Sequence, residues 1–242
     1  MGKRLENTGY WISTIICAIL VVLILPVFVK AILHDAWGMI TTYKWDWGES
    51  GNFVGYFIGF AIYAVYSLRL FIPRARHNLN WFMKFTHELT HTLVAVLFFA
   101  KIREFVVKDR ACYVSYKSGP VGYVPITLAP YCIPIYTFMI LPFRFFGKSH
   151  YMIVFDVLIA LTYAFHIHSF IKQTRRDQPD IKGCGLARSA AFITLVHMLV
   201  LSVLLATPKG GVANAVARVF WEYPVQFFTL PHQWLADVLK FL

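Results

Sequence analysis

Six long apolar stretches constrain the fold of this 242-residue chain more than any other feature. Each approaches or exceeds the roughly 20 residues that an α-helix needs to cross a lipid bilayer. They cover residues 10–33, 52–73, 79–100, 126–147, 151–172 and 186–207. Charged residues make up only 14% of the chain, whereas a soluble domain carries about 25%. The sequence therefore predicts an all-α, polytopic integral membrane protein with about six transmembrane helices.

The six stretches leave no room for a separate soluble domain, so we expect a single integral membrane domain over 1–242. It divides along the chain into two N-terminal spans (1–78), a core (79–207) and a C-terminal tail (208–242). Pro224 and Pro231 interrupt the tail, so it is not expected to span. Its aromatic residues and sparse charges predict a helix that lies in the membrane interface.

The basic residues sit mainly at the ends of the apolar stretches, as in RLFIPRARHN (69–78) and FIKQTRR (170–176). At these places lysine and arginine contact lipid headgroups and set the orientation of the spans. The net charge of +11 therefore indicates a lipid bilayer as the partner and does not indicate nucleic-acid binding. Lys3 and Arg4 favour a cytoplasmic N-terminus.

The segment FTHELTHTLVAVLFF (85–99) carries the pattern H-E-x-x-H inside an apolar stretch. On a helix His87 and His91 lie one turn apart on the same face, where two neutral imidazoles can hold one Zn²⁺. Glu88 can then reach a water on the metal and act as general base. Ionisable side chains are costly within a membrane and usually mark a functional site there. The pattern therefore predicts a zinc site with Glu88 as the catalytic residue.

A change of composition follows this helix, in KIREFVVKDRACYVSYKSGPVGYVP (101–125). REFVV and ACYVSY are rich in β-branched and aromatic residues, and the polar KDR separates them. This predicts a small β-hairpin or β-ribbon at the membrane face, with a plain extramembrane loop as the alternative. An exposed strand edge could pair with an unwound substrate segment by strand addition.

HELTH on a membrane helix, KIREFVV after it and the proline-marked GPVGYVPITLAPYCIPI together resemble the site-2-protease-like intramembrane zinc metalloproteases. The resemblance covers roughly residues 80–190. It implies an aspartate as third zinc ligand, placed at a short break just before a helix. The matching residue is Asp180 in QPDIKGCG, although Pro179 precedes it directly and Ile181 stands where the family usually has glycine.

Three other residues compete with Asp180 for the third ligand position. If every apolar stretch crosses the membrane once, His87 at the start of the third span and Asp180 after the fifth lie on opposite sides of the membrane. Asp180 could then reach the histidines only if the fifth span is broken or if residues 101–125 re-enter the membrane. Asp156 lies as deep in the fifth stretch as His87 does in the third, while His166 and His168 lie near its end. Asp156 could instead pair with a nearby arginine or lysine.

We therefore expect a zinc metalloprotease of the metalloendopeptidase type that hydrolyses peptide bonds in or near the transmembrane segments of membrane protein or peptide substrates. The resemblance suggests a bacterial cytoplasmic membrane as its location. Two alternatives stay open: a non-catalytic binding or chaperone-like membrane module on the same fold, and a metal-dependent hydrolase of lipid-like substrates. No pattern specifies an oligomeric state.

Overall fold

A computed structural model describes residues 15, 19, 53–68, 73–108, 112–146, 151–217, 221, 222 and 225. Within this part of the chain the protein is mostly helical and contains a two-stranded antiparallel sheet. The elements in chain order are α1 Val54–Leu68, α2 Pro73–Leu97, β1 Lys101–Val107, β2 Cys112–Lys117, α3 Pro120–Cys132, α4 Ile135–Phe146, α5 Met152–Gln173, α6 Pro179–Cys184 and α7 Leu186–Ala217.

Helix α1 packs closely against α5 because two glycines face the contact. A Cβ atom added at Gly55 would lie 2.7 Å from the Cβ of Asp156. One added at Gly59 would overlap the backbone oxygen of Val157. Both added atoms would lie closer to their neighbours than atoms do in a packed interior. The two helices can therefore approach this closely only with glycine at these positions.

The main buried cluster joins α1, α4, α5 and α7. Its buried members are Phe53, Tyr56, Leu141, Ile159, Ala160, Tyr163, Val200 and Leu204. The Tyr56 hydroxyl donates a hydrogen bond to the backbone oxygen of Leu204, at 2.9 Å, so that the phenol is satisfied inside the cluster. This cluster lies away from the H-E-x-x-H helix and connects the long apolar helices to each other.

The fourth predicted span is broken. Helices α3 and α4 meet at an angle of 80°, with Ile133 and Pro134 between them. Proline disfavours helical backbone in the residue before it, and Ile133 is extended, with φ −106° and ψ 107°. The bend therefore lies at Pro134, whereas Pro130 and Pro142 lie inside α3 and α4.

Two of the described helices are long and apolar enough to cross a membrane, namely α5 and the Leu186–Pro208 part of α7. The bent pair α3–α4 would make a third candidate, and α1 is apolar but has only 15 residues. The third stretch, from residue 79 onward, forms most of α2, and the residues of α2 that precede it, PRARHN, are mainly basic and polar. The first stretch lies outside the described residues except at positions 15 and 19. The predicted total of six spans is therefore not confirmed.

The predicted hairpin is present, and the plain-loop alternative is wrong. Strands β1 and β2 pair in antiparallel fashion with Phe105 opposite Val114, and the register shifts between Ile102 and Glu104. Helix α7 continues past the predicted boundary at 208, to Ala217. Apart from residues 221, 222 and 225, the rest of the tail lies outside the described part of the chain.

Candidate metal centre

Helix α2 presents His87 and His91 toward one carboxylate. The Nε2 atom of His87 lies 3.4 Å from Oδ2 of Asp180, and that of His91 lies 3.5 Å from the same oxygen. The i, i+4 spacing places both imidazoles on one face of α2, with their ring centroids 4.9 Å apart. The structure thus brings together the three residues that the sequence and the resemblance had indicated as metal ligands.

The short helix α6 positions Asp180. After α5 ends at Gln173, the chain turns and α6 begins at Pro179, whose fixed φ suits the first helical position. Asp180 lies in the first turn of α6. Gly185 follows α6 with φ 83°, a left-handed conformation that glycine adopts at no steric cost. The chain therefore leaves α6 at Gly185 and enters α7 at Leu186, while Asp180 faces His87 and His91 on α2.

Hydrogen bonds to Nδ1 fix the orientation of both imidazoles. His91 Nδ1 lies 2.8 Å from the backbone oxygen of Ile126, and His87 Nδ1 lies 2.8 Å from Oε1 of Gln173. A carbonyl oxygen can only accept, so Nδ1 of each ring carries a proton and Nε2 of each ring is the atom that faces Asp180. Metal-binding histidines are typically held in this way.

Pro130 leaves the backbone carbonyl of Ile126 available to accept a hydrogen bond from His91. In an α-helix the carbonyl of Ile126 would accept from the N–H of the residue four positions later, which is Pro130 and has no N–H. The carbonyl is buried within the packed protein, where an unpaired polar group is costly. The imidazole of His91 takes the place of the missing donor. The absence of an N–H at Pro130 in α3 is thus what allows α3 to hold the imidazole of His91 on α2.

Asp180 is held as a carboxylate. Burial alone would raise its pKa, but hydrogen bonds from His87 and His91 outweigh burial and hold the pKa well below its ordinary value. The Tyr131 hydroxyl also donates to Oδ2 at 3.0 Å. By contrast, burial raises the pKa of the nearby Cys184 thiol to about 11. That thiol is protonated at neutral pH and is not a metal ligand in this state.

The three side chains could hold a metal ion. Their ligand atoms all lie within 4.8 Å of one another. With zinc–nitrogen and zinc–oxygen bonds of about 2.0–2.1 Å, the ligand atoms of a tetrahedral site are about 3.3 Å apart. The two measured separations from Asp180 Oδ2, 3.4 and 3.5 Å, are close to this value. Two imidazoles and one carboxylate also leave a fourth position open, as in catalytic zinc sites.

Glu88 lies beside this group and at the hairpin. Its side chain is 9% exposed, and its carboxylate faces the backbone N–H of Val114 on β2. That N–H therefore points from β2 toward α2. Glu88 and His87 also line one open cavity of about 600 Å³, so the candidate centre is accessible from outside.

The alternative third ligands lie outside this group and have other partners. Asp156 forms a buried ion pair with Arg144, in which Nε lies 2.6 Å from Oδ1 and Nη2 lies 3.3 Å from Oδ2. His168 Nδ1 lies 2.8 Å from the Tyr63 hydroxyl. His166 stacks on His197, with ring centroids 5.6 Å apart. None of the three belongs to the group that could hold a metal.

Sequence reasoning missed four parts of the site: the Gln173 amide, the Ile126 carbonyl, the Tyr131 hydroxyl and the Val114 N–H. Only the Ile126 carbonyl had a sequence signal, the proline four residues later.

In comparisons with known proteins, no family model, no curated protein and no solved structure matches the chain. The argument for function therefore depends on the geometry of the site itself.

Proposed function

We propose that the protein is a zinc-dependent intramembrane endopeptidase. The observation that supports this most strongly is the group formed by His87, His91 and Asp180 with Glu88 beside it in an accessible cavity. Two imidazoles and a carboxylate are a ligand set that zinc uses in hydrolytic sites. A zinc ion held there would polarise a peptide carbonyl and make water acidic enough to be deprotonated near neutral pH.

In this proposal Glu88 transfers the proton. It accepts the proton from the attacking water and returns it to the amine of the departing peptide. Its position directly after His87 keeps its carboxylate close to the ligand face of α2. The Nδ1 hydrogen bonds of His87 and His91 keep both rings fixed while the substrate changes.

The hairpin supplies the surface for the substrate backbone. A peptide inside a helix hides its carbonyls in i to i−4 hydrogen bonds, so the segment that is cut must be extended. Strand β2 carries a backbone N–H, that of Val114, which points at Glu88. An extended substrate that pairs with this edge of β2 would accept from Val114 and release the Glu88 carboxylate for proton transfer.

The proposed substrates are membrane proteins or peptides with an unwound segment at the membrane boundary. Helices α5 and α7 are long and apolar enough to anchor the enzyme in a bilayer, where such substrates are found. The bacterial cytoplasmic membrane is the location that the resemblance of the HELTH segment to intramembrane metalloproteases suggests.

The proposal is tested with purified protein in lipid nanodiscs, by metal analysis and by mass spectrometry of a panel of transmembrane peptides. Wild type should contain about one zinc per chain and cut peptides that carry helix-breaking residues. Glu88→Gln should keep the zinc and lose the cleavage. Glu222→Gln, at an exposed position outside the hairpin and the metal-binding group, is the matched control and should cut as wild type does.

Cleavage by Glu88→Gln at the wild-type rate would overturn the proposal. Peptides that bind wild type and Glu88→Gln equally and stay intact in both would indicate the non-catalytic binding module instead. Release of fatty acid from the nanodisc lipids by wild type alone, without peptide cleavage, would indicate a lipid hydrolase.

A further inference from the structure

The open cavity of about 600 Å³ at the candidate metal centre is strongly basic. Besides His87 and Glu88, its lining includes Lys84 on α2, Lys172 in the last turn of α5, and Arg175 in the turn that follows. We call this space the basic cavity. It contains three permanent cations and a single carboxylate, that of Glu88, which faces the Val114 N–H.

The walls of the basic cavity are held in place by hydrogen bonds. Lys172 Nζ donates to Oδ1 of Asn80 at 2.5 Å, which joins the end of α5 to α2. The amide of Gln178 donates to the backbone oxygen of Gln173 at 3.1 Å and closes the turn that carries Arg175. A cleft lined by charges of one sign concentrates its field more than the same charges on an open surface.

The basic cavity lies where a bound peptide would continue. Cys112, the first residue of β2, forms part of its lining, and the N–H of Val114, two residues later, faces Glu88. A strand that pairs with β2 and passes Glu88 therefore runs into the basic cavity at the Cys112 end. Its side chains would reach Lys84, Lys172 and Arg175 within a few residues of the bond that is cut.

We propose that the basic cavity recognises an acidic side chain, aspartate or glutamate, close to the scissile bond of the peptide substrate. This inference rests on the proposed peptidase function and names the substrate class for the same site. A peptide fits better than a lipid headgroup because the cations share their cavity with His87 and Glu88. Its occupant must therefore be continuous with the atoms that react.

The test uses pairs of quenched fluorescent peptides that differ only by Glu or Gln at successive positions beside the scissile bond. Wild type should favour the best glutamate peptide by about 10-fold in kcat/KM, mainly through KM, and salt should reduce this preference. Arg175→Glu should abolish or invert the preference. Arg176→Glu is the matched control, because Arg176 is an exposed neighbour with the same charge that does not line the basic cavity.

Failure of this inference differs from failure of the proposed function. Cleavage without any preference for glutamate, or a preference that Arg175→Glu leaves intact, would overturn the inference and leave the peptidase standing. If no peptide is cut, fluorescence anisotropy of the same pairs on Glu88→Gln decides. Tighter binding of the glutamate peptide that Arg175→Glu removes would support acid recognition without proteolysis, and equal binding would overturn it.

A lipid headgroup is the other possible source of negative charge. The peptide assay is therefore repeated in nanodiscs with phosphatidylglycerol and in nanodiscs with phosphatidylcholine alone. If phosphatidylglycerol removes the glutamate preference of wild type at equal ionic strength, the basic cavity is a lipid headgroup site and the proposal is overturned. A preference that persists in both lipids supports the peptide.

Discussion

The hydroxyl of Tyr131 lies 3.0 Å from Oδ2 of Asp180 and donates a hydrogen bond to it. The ring of Tyr131 also packs edge-on against His87, with centroids 5.1 Å apart. One side chain thus orients the carboxylate and supports the imidazole. Hydrogen bonds to the ligands of a metal orient them and raise affinity, because the ligands then lose less freedom on binding.

Replacing Tyr131 with phenylalanine removes this hydroxyl and keeps the ring. We expect zinc affinity to fall about 10-fold, measured by competition with a fluorescent chelator, while the helical content stays unchanged. Tyr136→Phe is the control, because the hydroxyl of Tyr136 contacts Thr86, at 3.2 Å, and no ligand. Equal zinc affinity in wild type and Tyr131→Phe would show that the hydroxyl does not orient Asp180.

Pro130→Ala should stabilise α3 and weaken the metal site. Alanine restores the N–H that proline lacks, and this N–H competes with His91 for the carbonyl of Ile126. We expect zinc affinity to fall by up to about 10-fold, although alanine favours helix more than proline by about 3 kcal/mol. Pro142→Ala is the control, since Pro142 lies inside α4 and the metal-binding group has no member there. Tighter zinc binding by Pro130→Ala would contradict the role given to this carbonyl.

Asp180→Ala and Asp156→Ala should have opposite effects. Asp180→Ala removes a ligand, so we expect zinc to be lost during purification while the protein stays folded. Asp156→Ala should keep zinc but lower the free energy of unfolding by about 3–5 kcal/mol, because it leaves Arg144 buried and uncompensated. Metal analysis and thermal unfolding in detergent separate the two. Zinc loss in Asp156→Ala at a temperature where it is folded would reopen the choice of the third ligand.

Local patterns were enough to predict part of the site and of the fold. The i, i+4 spacing fixes how His87 and His91 are placed on a helix, whatever surrounds that helix. The β-branched and aromatic residues of REFVV and ACYVSY, with the polar KDR between them, were enough to indicate the hairpin, because strand propensity and a separating turn are local features. The break at Pro134 follows from the backbone restriction of the residue before it.

Long-range contacts were not predictable in this way. Gln173 contacts His87, and Tyr131 contacts Asp180, only because distant parts of the chain pack together. No local sequence pattern in α5 or α3 predicts these contacts. The number of spans could not be derived from the sequence for a related reason. Apolar length alone does not distinguish a straight crossing from a bent pair such as α3 and α4. The choice between Asp180 and Asp156 depended on the partner Arg144, which only the folded chain reveals.

Gly59 tests whether the close contact of α1 and α5 is needed for stability and independent of the metal centre. An added Cβ would overlap the backbone oxygen of Val157, so Gly59→Ala must push the two helices apart. In an unconstrained helix the same change would be stabilising by up to about 1 kcal/mol. We expect the opposite sign, a loss of about 1–3 kcal/mol in thermal unfolding, because overpacking forces backbone shifts.

The control for this prediction is Gly119→Ala, where an added Cβ meets no atom within 4 Å. Gly59 is not part of the metal-binding group, so the Gly59→Ala protein should keep wild-type zinc content wherever it is folded. A gain in unfolding temperature for Gly59→Ala would mean that α1 and α5 are farther apart than the glycine contacts indicate. Zinc loss from the folded variant would mean that the α1–α5 contact also supports α2, since α2 follows α1 directly in the chain.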